Sequence, residues 1–289
     1  MTVSVVTDSA ASLPSGEVIR LGISVVPFNL ILDGVAYRDG ELRSDEVIAA
    51  AGDRQMSTSC PSPGEFAKAI DDHGIGDGTV LITVASTMSS SYHSAMLASR
   101  YFRDGQVHVV DSRTAAGAQG LVILAAAEAA ASGASLDEVI AAAEYAARKV
   151  RLVASIENFQ FLARSGRVPA VTAWAANTIG MRALFEFSNG EPLPLRPSVG
   201  QKAALDRIVR SIERPCPGEG ILRIAVLHAQ AIGVAERLAN RIRSANIEAE
   251  LFISPFSSVM VAHTGPGVVG AAWWRDDSRD LSGYSKLAA

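Results

Sequence analysis

The chain has 289 residues, of which 48% are hydrophobic and 19% charged, and its formal net charge is −4. This length allows two α/β domains or one large domain, and the apolar fraction is sufficient for a packed core. The charge argues against a nucleic-acid partner, because no basic stripe is present to neutralise phosphates.

Three further features of composition limit the class of protein. The longest apolar run, 121–131, contains Glu128 and is too short to cross a bilayer. The first residues enter a predicted strand without a basic region and an apolar signal core, which predicts a cytoplasmic protein. Cys60 and Cys216 form no CxxC pair, so we expect neither a metal site nor a disulfide. No cofactor is expected, and without an evident apolar seam the chain is expected to be a monomer.

The first half of the chain alternates strands and helices. An apolar run at 23–32 is broken by Pro27, and Asp33-Gly34 then predicts a hairpin turn. The other predicted elements are strands at 2–7, 80–84 and 107–110 and helices at 44–51, 117–132 and 136–150. Such alternation predicts a mainly parallel sheet that is covered by helices on both faces.

The pattern changes after a predicted strand at 151–156. The second half is predicted to contain short helices at 159–163 and 174–180, a hairpin around Asn189-Gly190, helices at 205–212 and 231–245, and strands at 221–227 and 247–253. We therefore predict an α/β protein of two domains. Residues 1–155 form an N-terminal α/β/α domain with a mainly parallel sheet, and residues 156–289 form a C-terminal α+β domain with a mixed or antiparallel sheet.

A hydroxyl-rich loop follows the strand at 80–84. Five of the seven residues at 85–91 carry hydroxyl groups, and a helix follows them. Free backbone N–H groups, a positive helix end and hydroxyl donors suit a carboxylate or a phosphate. The alternative interpretation, that these serines only cap the helix, has equal weight.

A second hydroxyl-rich loop is predicted at 56–66. Ser62 and Glu65 form a capping box with Pro63 at the first helical position, so Ser62 is interpreted as structural. Thr58 and Ser59 lie upstream of this cap and are the free hydroxyls. A thiolate nucleophile at the neighbouring Cys60 is the weaker hypothesis.

His263 is the histidine most suited to a functional role. It is predicted to lie within a rigid turn with Gly265-Pro266-Gly267, which would fix its side chain and bring the backbone close to a ligand. A packed core histidine is the alternative interpretation. Together the hydroxyls and one imidazole describe a site that holds an anion.

A second hypothesis from a different class is a serine-dependent acyl hydrolase. It would use Ser89 and His263 with Asp8 or Asp111, since triads are defined by geometry and not by order in the chain. However, the Gly-x-Ser-x-Gly pattern is missing around Ser89, and so are the Walker, Rossmann and His-Glu-x-x-His motifs.

A set of short motifs resembles the DegV family of fatty-acid-binding proteins and covers almost the whole chain in order. They are Asp8-Ser9-x-x-Ser12-Leu13, Val26-Pro27, Tyr37-x-Asp39, Thr58-Ser59-x-Pro61-Ser62, Met88-Ser89-Ser90-Ser91-Tyr92, Asp111-Ser112, Ser165-Gly166-Arg167, Gln201-Lys202-Ala203 and His263-Thr264-Gly265-Pro266-Gly267. No single motif is decisive, but the combination is specific.

The resemblance implies one long-chain fatty acid, such as palmitate, between the two domains with its tail buried. It implies that Thr58 and Ser89 hold the carboxylate and that His263 lies at the same site. Ser59 and Ser90 are of second rank, and Arg167 and Arg196 fit basic positions of the family that could serve the head group or a partner surface. An ion pair across the domain interface is the alternative for each arginine.

The resemblance also implies a partner. The family's understood members present the fatty acid to a separate fatty acid kinase, which makes an acyl phosphate for phospholipid synthesis, and membrane contact is expected only for lipid exchange. The resemblance also implies a fold related to the substrate subunit of dihydroxyacetone kinase. A third hypothesis is a subunit that holds another small carboxylate or hydroxy compound for a kinase.

The chain departs from the family pattern at two places. Ser90 replaces the usual glycine of Leu-Ser-Gly-Thr-Tyr and adds a side chain where the backbone could approach the ligand. Arg182-Ala183 replaces the usual Lys-Pro before the predicted hairpin, which keeps the charge but loses the ring. The course of both segments is therefore open.

Overall fold

A computed structural model describes residues 3–50, 55–74, 76–157, 159–167, 181–188, 190–213, 220–245 and 247–276. The predicted helix at 174–180 and both Cys216 and Asn189 lie outside these residues. Within them, no helix combines the length and the hydropathy needed to cross a membrane.

The first half of the chain forms a four-stranded parallel sheet, as predicted. Its order is β2 (Ser24–Val26), β1 (Ser4–Asp8), β6 (Thr79–Thr83) and β7 (Val107–Asp111). A 3-10 turn (Ser9–Ala11) and α1 (Ser15–Arg20) follow β1. Successive β1 side chains face opposite ways, so Val6 packs towards α3 (Pro63–His73) and α4 (Ser91–Ser99). Val5 packs towards α5 (Ala116–Ala131) and α6 (Leu136–Lys149).

The second sheet has six strands and is mixed, as predicted. Its order is β10 (Glu191–Ser198), β9 (Arg182–Ser188), β8 (Arg151–Ile156), β13 (Val269–Asp276), β11 (Ile221–His228) and β12 (Ala249–Pro255). Only β11 and β12 pair in parallel. One face packs on α8 (Gly200–Glu213) and α9 (Ile232–Ser244), and the other on α5 and α6. The predicted division at residue 155 falls in β8, which pairs with strands of the second half.

A small antiparallel sheet lies beside these layers. It contains β3 (Asn29–Leu32), flanked by β4 (Val35–Arg38) and β5 (Met56–Ser59). Next to it lie α2 (Ser44–Ala50), α7 (Phe159–Ser165) and α10 (Ser258–Thr264). Helix α10 comes from the second half of the chain but contacts α2, β3 and β5 of the first half. The two halves therefore meet at this sheet.

Two local predictions were wrong, and both concern the candidate site. Residues 56–59 were predicted to be part of a loop, but they form β5, where Met56 and Thr58 are partly buried and Ser57 and Ser59 are exposed. This alternation, with period two, is that of an edge strand. His263 was placed in a turn, but it lies in the last turn of α10, and the glycine-proline turn follows it.

Close packing between the two halves depends on a helix without large side chains at its first turn. Helix α5 lies between the two large sheets, and 14 of its residues are buried. At Gly117 a Cβ atom would overlap the Leu227 side chain and lie 3.0 Å from the Ala225 Cβ on β11. Glycine is therefore required here by the neighbouring sheet and not by backbone conformation.

We predict opposite effects for two Gly→Ala changes in helices. Gly117→Ala should lower the free energy of unfolding by about 1–3 kcal/mol, because overpacking outweighs the better helix propensity of alanine. Gly16→Ala in α1 is the matched control, since a Cβ there has open space, and it should leave stability unchanged or raise it. Urea unfolding measures both. An equally stable Gly117→Ala variant would contradict the packing.

Candidate functional site

The structure brings Thr58 and His263 into direct contact, although they lie 205 residues apart in the sequence. The Thr58 Oγ1 and the His263 Nε2 are 2.9 Å apart and form a hydrogen bond. Thr58 pairs with Leu30 across β3 and β5, so its inward direction is fixed by the register of this sheet. Two of the predicted site residues are therefore neighbours.

Helix α10, which carries His263, is fixed at both ends. At its start, Ser257 Oγ accepts from the Met260 N–H, and the Asp39 carboxylate accepts from the Val259 N–H at 3.1 Å. Asp39 also accepts from the Ser9 hydroxyl at 2.6 Å. At its end, Gly265 has φ 68°, and a Cβ there would overlap the Phe161 ring. Two hydrogen bonds at the start of α10, a third that holds Asp39, and close packing of Gly265 on Phe161 thus fix the helix that carries the imidazole.

The environment of His263 keeps its imidazole neutral at pH 7. Burial and then the nearby positive charge of Arg167 lower the pKa of His263 from 6.5 to about 4. A neutral imidazole has one N–H donor and one acceptor nitrogen. In the tautomer with the proton on Nε2, His263 donates to Thr58 Oγ1, which leaves the threonine hydroxyl hydrogen available to a third group.

Arg167 lies close enough to influence His263 and is exposed. Its Nη1 donates to the Ser165 carbonyl at 2.6 Å, and its backbone N–H donates to Ser165 Oγ. The guanidinium retains further donors that face solvent. A positive charge is thus present beside the Thr58–His263 pair, and no carboxylate in the described part of the chain forms an ion pair with Arg167.

Ser89 lies in the loop before α4, and its hydroxyl oxygen accepts from the Ser91 N–H at 3.2 Å. The hydroxyl hydrogen of Ser89 is therefore not used in this contact. Ser90 is the N-cap residue of α4, is exposed and makes no capping bond with its side chain. The interpretation of these serines as helix caps thus holds for Ser89 and not for Ser90.

A narrow apolar cavity of about 60 Å³ lies next to these polar residues. Met88, the neighbour of Ser89, lines it, and so do Met260 and Thr264, which flank His263 on α10. The other lining residues are apolar: Ala115, Ala116, Leu152, Ala154, Ile156, Leu162, Phe185, Phe187, Pro192, Leu227, Phe256 and Val268. These come from both halves of the chain, so the cavity lies at their junction.

The hydrogen bonds do not form the triad of the hydrolase hypothesis. The Asp8 carboxylate is fully buried and accepts from Ala10, Val84, Ser91 and Gln119, and burial raises its pKa. Asp111 accepts from the amides of Ser86 and Arg113. Within the part of the chain that the structure describes, no hydrogen bond joins either aspartate to His263, or His263 to Ser89.

The remaining candidate residues lie further out. Ser59 is exposed, and its hydroxyl is 3.5 Å from the Asn29 side chain. Arg196 is exposed on β10, and its carbonyl accepts from Arg207. The capping box of Ser62 and Glu65 is confirmed. Burial raises the pKa of the Cys60 thiol, which does not favour a thiolate.

The two departures from the family pattern lie at the start of β9 and at the N-terminus of α4. Arg182-Ala183 begins β9, where Ala183 pairs with Ile156 and Arg182 forms an ion pair with Glu157 at 3.1 Å. Ser90 points away from the core.

Three residues at the candidate site were not predicted from the sequence to have a role there: Asp39, Met88 and Met260. Asp39 belonged to a quoted motif, but its bond to α10 depends on contact between distant segments.

The fold and the cavity define a layered α/β protein with a narrow apolar pocket between its halves. The chain belongs to the DegV family. The matching family model is described as "Uncharacterised protein, DegV family" and covers residues 2–276.

Two curated relatives and one solved structure agree with this assignment. A fatty acid-binding protein of Thermotoga maritima is 28% identical over 93% of this chain and 96% of its own. A DegV domain-containing protein of Streptomyces coelicolor is 33% identical over the same shares. The structure described as fatty acid binding of a DegV family protein from Thermus thermophilus is 26% identical, with a TM-score of 0.89 over 96% of this chain and 100% of its own.

We predict that His263 makes stability depend on pH. Because its pKa is about 4 in the folded chain and 6.5 as a free side chain, the unfolded chain binds more protons between these values. The folded state therefore loses about 2–3 kcal/mol of stability as the pH falls from 7 to 4. The non-titrating variant His263→Gln lacks this term, so its difference from the wild type should change over this range in urea unfolding. A difference that is constant with pH would contradict a neutral His263.

Proposed function

We propose that this chain binds one long-chain fatty acid, with the carboxylate at Thr58, Ser89 and His263 and the tail in the apolar cavity. The observation that carries the proposal is the Thr58–His263 hydrogen bond beside a cavity walled by Met88 and Met260. Polar groups at one border and apolar walls elsewhere match a ligand with one charged end.

The polar residues can supply what a carboxylate needs. Hydrogen bonds from hydroxyl groups to a carboxylate are charge-assisted and stronger than neutral ones. Thr58 and Ser89 each have a hydroxyl hydrogen that their observed contacts can leave available. Arg167 adds a positive charge from the solvent side. Ser59 and Ser90 are exposed, and we propose for them only a secondary role in binding the carboxylate.

The cavity can supply most of the affinity. Each buried methylene contributes roughly 0.8 kcal/mol before ordering costs are subtracted. The lining is formed by aliphatic, aromatic and thioether side chains. The cavity volume of about 60 Å³ is below the range of small-molecule sites, so a long tail requires the lining side chains to move apart. The polar residues Thr58, Ser89 and His263 would therefore set the orientation of the ligand in the cavity.

The relatives support the same ligand class. The Thermotoga maritima and Thermus thermophilus proteins are both described as binding fatty acids. That description supports the role of a carrier.

We further propose that the chain presents the bound carboxylate to a separate kinase. A carboxylate oxygen would take the terminal phosphoryl group of ATP, which gives an acyl phosphate and ADP. Such transfer needs a carboxylate that a partner can reach. Exposed Ser90 and Arg167 place the polar border near the surface, which supports this role.

The binding site can be tested with a double variant. Thr58→Val with Ser89→Ala should weaken palmitate binding by about tenfold to a thousandfold, because each change removes a hydrogen bond to a charged group. Isothermal titration with palmitate and oleate measures this. The midpoint of thermal unfolding should change little, since both side chains are only partly buried.

Ser57→Ala is the matched control, because Ser57 neighbours Thr58 on β5 but is exposed on the other face. It should bind palmitate like the wild type. Wild-type affinity in the double variant would show that the head-group site lies elsewhere. Labelling of Ser89 or Thr58 by a fluorophosphonate probe would favour the acyl hydrolase instead.

A further inference from the structure

Asp8 is a buried carboxylate that forms no hydrogen bond with Thr58, Ser89 or His263 in the described part of the chain. Its side chain is inaccessible to solvent, and among the described residues no Lys or Arg forms an ion pair with it. Burying a charge without a cation is costly, so its four hydrogen-bond donors must compensate. The distribution of these donors over the two oxygens indicates what Asp8 does.

One oxygen of Asp8 holds both ends of the loop that carries Ser89. Asp8 Oδ2 accepts from the Val84 N–H at 3.0 Å and from the Ser91 hydroxyl at 2.7 Å. Val84 immediately precedes the hydroxyl-rich loop, and Ser91 begins α4. Both ends of the loop are thus hydrogen-bonded to the same carboxylate oxygen.

The other oxygen fixes Asp8 itself. Asp8 Oδ1 accepts from the Ala10 N–H at 3.2 Å and from Gln119 Nε2 of α5 at 3.0 Å. The carboxylate is therefore tied to the helix between the two sheets, which cannot move independently of the core.

The chain of contacts continues from Asp8 to Ser89. The hydroxyl of Ser91 is held by Asp8, and the N–H of the same residue donates to Ser89 Oγ at 3.2 Å. Because Ser89 accepts this bond, its hydroxyl hydrogen has to point in another direction. Met88, which lines the cavity, lies in the same closed loop.

We infer that Asp8 is a positioning residue for the ligand carboxylate: through Ser91 it orients the Ser89 hydroxyl and holds the loop at the cavity border. This inference rests on the proposed function and deepens it. A carboxylate suits this task because it only accepts, whereas an amide at this position would turn one N–H donor towards the donors that surround it.

The test changes Ser91, since loss of Asp8 itself would disturb the core. Ser91→Ala should weaken palmitate binding by about tenfold, while binding of hexadecanol, which has the same tail without the charge, should change little. Ser91→Thr retains the hydroxyl and should restore palmitate binding. Ser91→Val has the shape of threonine without the hydroxyl and should resemble Ser91→Ala.

Ser4→Ala is the control. Like Asp8, Ser4 lies on β1, but at the opposite end of the strand, where its hydroxyl donates to the Gly74 carbonyl. This control variant should leave the ratio of the affinities for palmitate and hexadecanol unchanged. In the double variant Ser89→Ala with Ser91→Ala, the loss should equal that of Ser89→Ala alone, since Ser91 acts through Ser89.

The outcomes separate this inference from the proposed function. If the wild type binds neither ligand, the proposed function itself fails. If the wild type prefers palmitate and Ser91→Ala weakens both ligands equally, or adds fully to Ser89→Ala, the positioning role is wrong. Loss of the fold in Ser91→Ala and Ser91→Val but not in Ser91→Thr would likewise assign Ser91 a structural role only.

Discussion

Helix α5 lies between two sheets, and this constraint determines much of the molecule. A helix that is covered on both sides cannot have a polar face, and α5 accordingly consists almost entirely of Ala, Gly and aliphatic residues. Its small side chains allow β1 and β6 on one side and β11 and β13 on the other to approach it. Its buried polar residue, Gln119, donates to Asp8 and Thr7. The two sheets are thereby held at a fixed distance, and the cavity opens where that contact ends.

The candidate site depends on this arrangement because its groups come from three distant parts of the chain. Thr58 is placed by the small antiparallel sheet, Ser89 by the loop after β6, and His263 by a helix from the second half. Two aspartates connect them to the core: Asp8 holds the Ser89 loop, and Asp39 holds the start of α10. Neighbouring Ser9 donates to Asp39, so the Asp8-Ser9 pair joins both parts of the site.

Much of the fold could be predicted from the sequence, because buried strands and amphipathic helices have periodic apolar patterns. The capping box at Ser62 and the hairpin at Asp33-Gly34 were confirmed for the same reason, since their chemistry is local. Strand β5 was missed because Ser57 and Ser59 resemble a loop, and only its partner β3 makes it a strand. The Thr58–His263 contact could be expected only from the family resemblance, because no local pattern relates residues that are 205 positions apart.

The most direct test of fatty-acid binding is native mass spectrometry of the purified chain, followed by denaturing extraction and lipid analysis. We predict an added mass of one long-chain fatty acid that is released on unfolding, and the extract would identify its length and unsaturation. A protein that carries no added mass, and still carries none after incubation with palmitate and oleate, would contradict the central claim.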